Sequence, residues 1–129
     1  MIVVDSSAWV ELLCGADADL DRRLRDLIAA EADLAVTEIV VMELLGGARS
    51  GRAALRSALL AYPVLPLHGL QDYEEAAVIY HRCRGAGETL RRGFTDCLIA
   101  VPAIREKAAI LHRDVDFEVI SRHTDLKLA

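Results

Sequence analysis

The sequence predicts an α/β fold, a mainly parallel central sheet of four to five short strands flanked by helices. Three observations carry that expectation. Ile2-Val3-Val4, Leu34-Ala35-Val36, Val64-Leu65 and Ala109-Ile110-Leu111 are short, continuous apolar runs, the pattern of strands covered on both faces. The segments between them space their apolar residues with the period of a helix. Strand and helix thus alternate along the chain, which favours parallel strands joined by right-handed crossovers.

The first strand runs directly into Asp5-Ser6-Ser7, residues able to cap a helix. Ala8 to Cys14 reads as a short helix with Trp9, Leu12 and Leu13 on one face. Residues 18 to 31 carry Leu20, Leu24, Leu27 and Ile28 among Asp and Arg, an amphipathic surface helix. After the second strand, Thr37 is a good N-cap for a helix over Glu38 to Leu45, and Gly46-Gly47 suits its end. Ser50 opens a helix to about Tyr62, stopped by Pro63. After the short strand Val64-Leu65, Leu70 to Arg84 forms a long helix with Tyr73, Ala76, Ala77 and Tyr80 along its inner side, broken by Gly85-Ala86-Gly87. Thr95 can cap a helix from Asp96 to about Glu106. Ala109 to Leu111 is strand four, Asp114 to Ser121 a turn and short helix, and Leu126-Lys127-Leu128 a last edge strand.

A chain of 129 residues, 53% apolar and 27% charged, can bury one hydrophobic core, so a single domain over residues 1–129 is expected. There is no obvious linker, repeat or charged tail. The N-terminus lacks a basic segment followed by an extended apolar run, and no stretch approaches the roughly 18 apolar residues of a spanning helix, so the protein is expected in the cytoplasm and not in a membrane. Cys14, Cys83 and Cys97 are widely spaced and odd in number; they support neither a disulfide framework nor a zinc knuckle and read as reduced, mostly buried residues. A net charge of −5 argues against a protein that coats nucleic acid, because such binding rests on phosphate neutralisation. It does not exclude a nuclease whose acidic pocket is filled by a divalent cation. Of the 15 basic residues 13 are Arg, suited to bidentate phosphate contacts, although a GC-rich genome gives the same bias.

The placement of acids is more informative. Asp5 follows strand one, and Asp114 and Asp116 follow strand four, while open parallel sheets bind ligands beyond the carboxyl ends of their strands. Glu43 lies between Ile39-Val40-Val41-Met42 and Leu44-Leu45, where a buried carboxylate needs a cation or a proton. Asp96 opens the uncharged run Cys97-Leu98-Ile99-Ala100-Val101. Asp5 and Asp96 each have a structural alternative, as a helix cap or a partner of the helix dipole, and Asp114 and Asp116 as turn residues. Acids converging on one crevice repel one another unless a metal lies between them.

These pieces resemble the PIN domains, and among them the VapC-type toxins of toxin–antitoxin operons. The resemblance rests on Val3-Val4-Asp5-Ser6-Ser7-Ala8, on Thr37 through Met42-Glu43-Leu44-Leu45-Gly46, on Phe94-Thr95-Asp96-Cys97-Leu98-Ile99-Ala100 and on Leu111-His112-Arg113-Asp114-Val115-Asp116-Phe117, in order over essentially the whole chain. It implies a PIN-like three-layer sandwich and an acidic quartet at Asp5, Glu43, Asp96 and Asp114, with Asp116 as a further acid. It also implies hydrolysis of RNA with Mg²⁺ or Mn²⁺, leaving 5′-phosphate and 3′-hydroxyl ends. Asp5 and Asp96 are then the expected direct metal ligands, with Glu43 and Asp114 completing the charge, and Ser7 or Thr95 orients those ligands. Arg49, Arg91, Arg92 and Arg113 are candidate RNA contacts, and Arg52 and Arg56 continue the helical spacing after Arg49. His112 is a candidate acid–base group or a structural residue; His68, His81 and His123 read as surface residues. Pro102, where the family usually carries a helix former, predicts a kink behind Asp96.

The same resemblance implies a cognate VapB-type antitoxin, an apolar groove near Trp9, Leu12 and Leu13 to receive it, and a homodimer. Three other readings differ at definable residues. A haloacid-dehalogenase-like phosphatase needs a second acid two positions after the first, where this chain has Ser7. A phosphoacceptor receiver domain needs an early acidic pair and a late Lys. A catalytically silent PIN scaffold acting only as a protein-binding module would not need its acids intact.

Overall fold

The structure, a computed structural model, describes residues 1–15 and 17–129, without the side chain of Cys14, so the expected burial of that thiol lies outside the described residues. Five strands, β1 (Ile2–Val4), β2 (Leu34–Thr37), β3 (Val64–Leu65), β4 (Ala109–Leu111) and β5 (Lys127–Leu128), form one sheet in the order β3-β2-β1-β4-β5. Every pairing is parallel, so the sheet is more regular than the mainly parallel one expected. Every residue of β2 is buried. Because successive side chains point to opposite faces of a strand, that burial requires cover on both faces, which gives the helix–sheet–helix layering.

The helices are α1 (Ser6–Cys14), α2 (Ala18–Ala29), α3 (Glu38–Gly47), α4 (Arg52–Leu59), α5 (Leu70–Gly85), α6 (Phe94–Arg105) and α7 (Val115–His123). The core runs through Val3, Val4, Val36, Val40, Ile99, Ile110, Phe117 and Ile120, all fully or almost fully buried. Since β1 is central and its neighbours come from distant parts of the chain, the order reverses between β1 and β4. The carboxyl ends of those strands therefore open a crevice of the kind in which parallel sheets bind ligands.

Several local expectations change. Helix α3 includes Gly46 and Gly47 and is capped by Ala48, whose backbone is extended. Helix α4 starts after Gly51, whose φ of 68° suits glycine, and not at Ser50. In α5 the inner face is Asp72, Ala76, Ile79 and Cys83, while Tyr73 and Ala77 are exposed and Tyr80 is half-buried. The phase was misread because Asp72 reads as a surface residue; Arg105 holds its carboxylate at 2.9–3.0 Å and makes its burial tolerable. In α1, Trp9 is buried and packs 5.7 Å from the Tyr62 ring, whereas Leu13, one turn further on, is 65% exposed. Helix α6 continues through Pro102, which is itself buried, with Glu106 N donating to the Pro102 carbonyl at 3.0 Å. Cys83 and Cys97 are free and buried, and burial pushes the Cys97 thiol up to about 12.

Candidate active site

Asp5 leaves β1 with its backbone N–H on the Leu111 carbonyl, 3.0 Å away, which ties the end of β1 to the end of β4. Its Oδ2 caps α1 by accepting from Ser7 N at 3.0 Å, and it also accepts from Ser7 Oγ at 2.5 Å. Oδ1 is buried and has no partner among the described residues. The cap and the free oxygen are thus two halves of one carboxylate. Ser7 Oγ in turn accepts from Arg113 N at 2.9 Å, joining residues 106 positions apart. Burial holds the Asp5 carboxyl above its ordinary range, against the lowering effect of Ser7 and of Arg92.

Asp96 is fully buried in the first turn of α6, and both of its oxygens lack a partner among the described residues. The helix begins at Phe94 after Gly93, so Thr95 lies inside it instead of capping it, and among the described residues Thr95 makes no side-chain hydrogen bond. The expected orienting role of Thr95 therefore has no contact behind it. Burial is the first cause pushing the Asp96 carboxyl up to about 9, followed by the neighbouring Asp114 and then Asp5. Three acids, Asp96, Asp114 and Asp116, each offer an oxygen within 4.8 Å of the others.

Asp114 caps α7 by accepting from Asp116 N through Oδ1 at 3.0 Å, leaving Oδ2 4.0 Å from Arg92 Nη1. Asp116 is fully buried and accepts from the backbone N–H groups of Arg91 and Arg92 at 2.8 and 2.7 Å. Each of its oxygens therefore braces the loop that enters α6. Glu43, on α3, accepts from Ser6 Oγ at 3.1 Å and is ion-paired with Arg92. Asp96, Asp114 and Asp116 thus cluster, Asp5 is close enough to raise the Asp96 carboxyl, and Arg92 ties Glu43 to Asp114; Asp5, Asp114 and Asp116 double as helix caps or loop anchors.

Arg92 links the far wall of the crevice to the near one, a position that sequence spacing alone could not give. Arg113 is ion-paired with Glu11 and lies 3.9 Å from Asp17, with its side chain half-exposed. Glu11 was missed because an acid on a short helix reads as solvent-facing; it is buried, and also accepts from Asp17 N at 2.5 Å. Arg49 and Arg91 are exposed. His112 Nδ1 accepts from Asp114 N at 3.0 Å, which requires a neutral ring, and burial lowers its pKa. That geometry makes His112 a turn residue that sets Asp114. His68 and His81 are exposed as expected, but His123 is half-buried and bonded to Glu88.

Asp5 Oδ1 and both Asp96 oxygens, hard, buried and without a hydrogen-bond partner among the described residues, suit a divalent cation. Beside them, Val10, Leu13, Leu44, Gly47, Leu55 and Ala58 line an apolar groove of about 580 Å³ that reaches Glu43.

The sequence matches the PIN-domain family over residues 2–123. It is 41% identical over 132 aligned residues to VapC ribonuclease Mb1587 of Mycobacterium bovis, covering 100% of this chain and 98% of that protein. Ribonuclease VapC11 of Mycobacterium tuberculosis is equally similar, at 41% identity with the same coverage. Among solved structures, VapBC2 from Rickettsia felis, bound to a promoter DNA fragment, superposes with a TM-score of 0.71 at 20% identity, over 100% of this chain and 98% of the other. No helix among the described residues is long and apolar enough to cross a membrane.

Proposed function

The chain belongs to the PIN-domain family, and from that premise we propose that it is a VapC-type toxin, a metal-dependent endoribonuclease of a toxin–antitoxin pair. The observation that carries the reading is the set of buried, unpartnered carboxylate oxygens on Asp5 and Asp96, brought together from distant segments of a chain 41% identical to ribonucleases. Asp5 and Asp96 would hold Mg²⁺ or Mn²⁺ directly, with Asp114 and Glu43 completing the negative charge. The ion supplies activation of water and stabilisation of charge on the scissile phosphate. A water oxygen bonds to phosphorus as the bond from phosphorus to O3′ breaks, which leaves a 5′-phosphate and a 3′-hydroxyl.

The rest is done by the chain's own residues. Ser7 fixes the Asp5 carboxylate while fastening it to the turn after β4. Asp116 also faces the cation site, but its oxygens are occupied by the Arg91 and Arg92 amides, so its larger part is to hold Arg92 against Glu43. Arg49 and Arg91 would contact RNA phosphates. The apolar groove beside Glu43 suits an amphipathic helix of a VapB-type antitoxin, with Val10 and Leu13 as exposed apolar anchors. The toxin acts in the cytoplasm as a single-domain protomer of a homodimer. Trp9, being buried, cannot supply that dimer surface.

Incubating the purified protein with total RNA and Mg²⁺ and mapping the new 5′ ends tests the reading. Asp5→Asn and Asp96→Asn should remove cleavage and relieve growth arrest while circular dichroism stays that of the folded parent. Cleavage at the parent rate by both variants would show that the chemistry lies elsewhere.

A further inference from the structure

Next to the acids, on the opposite side of Gly93 from Arg92, lies an aromatic pair that the hydrolytic site does not use. Phe94, the first residue of α6, is 59% exposed, and its ring lies 4.3 Å from the ring of Tyr80 on α5, tilted by 35°. Gly93 makes this possible. Its φ of 56° turns the chain into α6 there, and a Cβ at that position would stand 3.7 Å from Tyr80 Cε2. Tyr80 is fixed in turn by Arg84, whose guanidinium lies 5.9 Å from the ring centre and donates to the hydroxyl at 3.2 Å. The Phe94 ring is thus supported on one side and open to solvent on the other, two residues from Asp96.

We propose that the Phe94–Tyr80 pair is a stacking platform for an unpaired base of the RNA substrate, adjacent to the scissile phosphate. The inference deepens the ribonuclease reading above and rests on it. A supported aromatic face costs an incoming base little ordering, and base–aromatic stacking is a sequence-tolerant source of affinity for single strands. The surroundings select this occupant over a second copy of the chain. Arg84, which holds Tyr80, and Arg91, three residues before Phe94 in the chain, are exposed, so two copies meeting here would bring like charges together, whereas RNA brings phosphates. Stacking also requires a base out of its helix, which makes the preferred substrate a single strand or loop and not a duplex.

The test compares the parent with Phe94→Leu, which keeps apolar packing on Tyr80 but removes the π face, and with Phe94→Trp, which keeps it. The probe is a short unstructured oligoribonucleotide known to be cleaved by the parent, with 2-aminopurine moved along it one position at a time. Phe94→Leu should raise KM about tenfold and change kcat by less than threefold, and Phe94→Trp should stay near the parent. In an Asp96→Asn background, aminopurine fluorescence should be quenched at one position and recover when Phe94→Leu is added. Parent-like KM in Phe94→Leu with the quench intact would overturn the platform and leave the ribonuclease reading standing. So would conversion of a dimer to a monomer by Phe94→Leu in light scattering, which would assign the ring to a second copy. If the parent neither cleaves nor binds RNA, the underlying function falls and the platform with it.

Discussion

The Asp96 carboxyl, buried and surrounded by acids, makes metal-free stability depend on pH. Its folded pKa of about 9 lies above the ordinary 3.8, so folding favours the protonated form. That stability is complete below about pH 4 and is lost progressively as the pH rises towards 9. Asp96→Asn is nearly isosteric with the protonated acid and carries no charge. In EDTA at pH 7 it should therefore melt higher than the parent, by something on the order of 1 kcal/mol or a few degrees, and the gap should widen between pH 5 and pH 8. Mg²⁺ or Mn²⁺ should raise the parent's Tm by mass action and the variant's much less. A variant that melts lower at every pH, with an unchanged metal response, would reduce Asp96 to a helix residue. At this scale the sequence names the acids but not their division of labour. That Asp116 spends its oxygens on two amides, or that Arg113 is absorbed by Glu11, depends on contacts between segments far apart in the chain.

Helix α5 is held to α6 partly by charge. Arg105 donates to both oxygens of Asp72 and to the Pro66 carbonyl at 3.1 Å, while His68 N donates to Asp72 Oδ2 at 2.8 Å. Arg105 holds the Asp72 carboxyl below its usual range, so this tie persists at neutral pH and is lost only as the pH falls below that range. Asp72→Ala leaves the guanidinium half-enclosed without its partner and should cost about 2–4 kcal/mol in urea unfolding at pH 7. Its deficit should shrink at pH 3. A loss under 0.5 kcal/mol would show that packing alone joins these helices. The same ion pair explains why the inner face of α5 takes in Asp72 beside the expected Ala76, and leaves Tyr73 and Ala77 exposed. Helical spacing locates a helix reliably, but choosing between Tyr73 and Asp72 as the inward residue requires knowing that an arginine some thirty positions later stands opposite. The strands were legible for the converse reason, since continuous apolar runs admit no choice of face. Helix α6 starts two residues earlier than a Thr95 cap would place it, because Gly93, with its positive φ, turns the chain into the helix.

For the whole molecule, the apolar groove and the acidic crevice share Glu43, so partner binding and catalysis meet at one residue. A Leu13→Glu substitution places a charge in the groove at an exposed position away from Asp5 and Asp96. It should weaken antitoxin binding at least tenfold in calorimetry while RNA cleavage stays within about threefold of the parent. Undiminished antitoxin binding would move the docking surface off this groove. The sheet order adds a constraint of a different kind, on timing. Strand β1 is made first, but its partner β4 comes roughly a hundred residues later, and Ser7 meets Arg113 across 106 positions. A ribosome that has finished α3 has already produced Asp5 and Glu43, yet neither faces Asp96 or Asp114 until α6, β4 and the turn after it have emerged and closed on the centre of the sheet. On the proposed function, a nascent chain would be harmless to the RNA of the machine that makes it until long-range closure, the slow step of a parallel fold, brings its acids together. An antitoxin seated in the groove on α1, α3 and α4, as proposed, would meet a surface whose residues are all made before the blade is assembled.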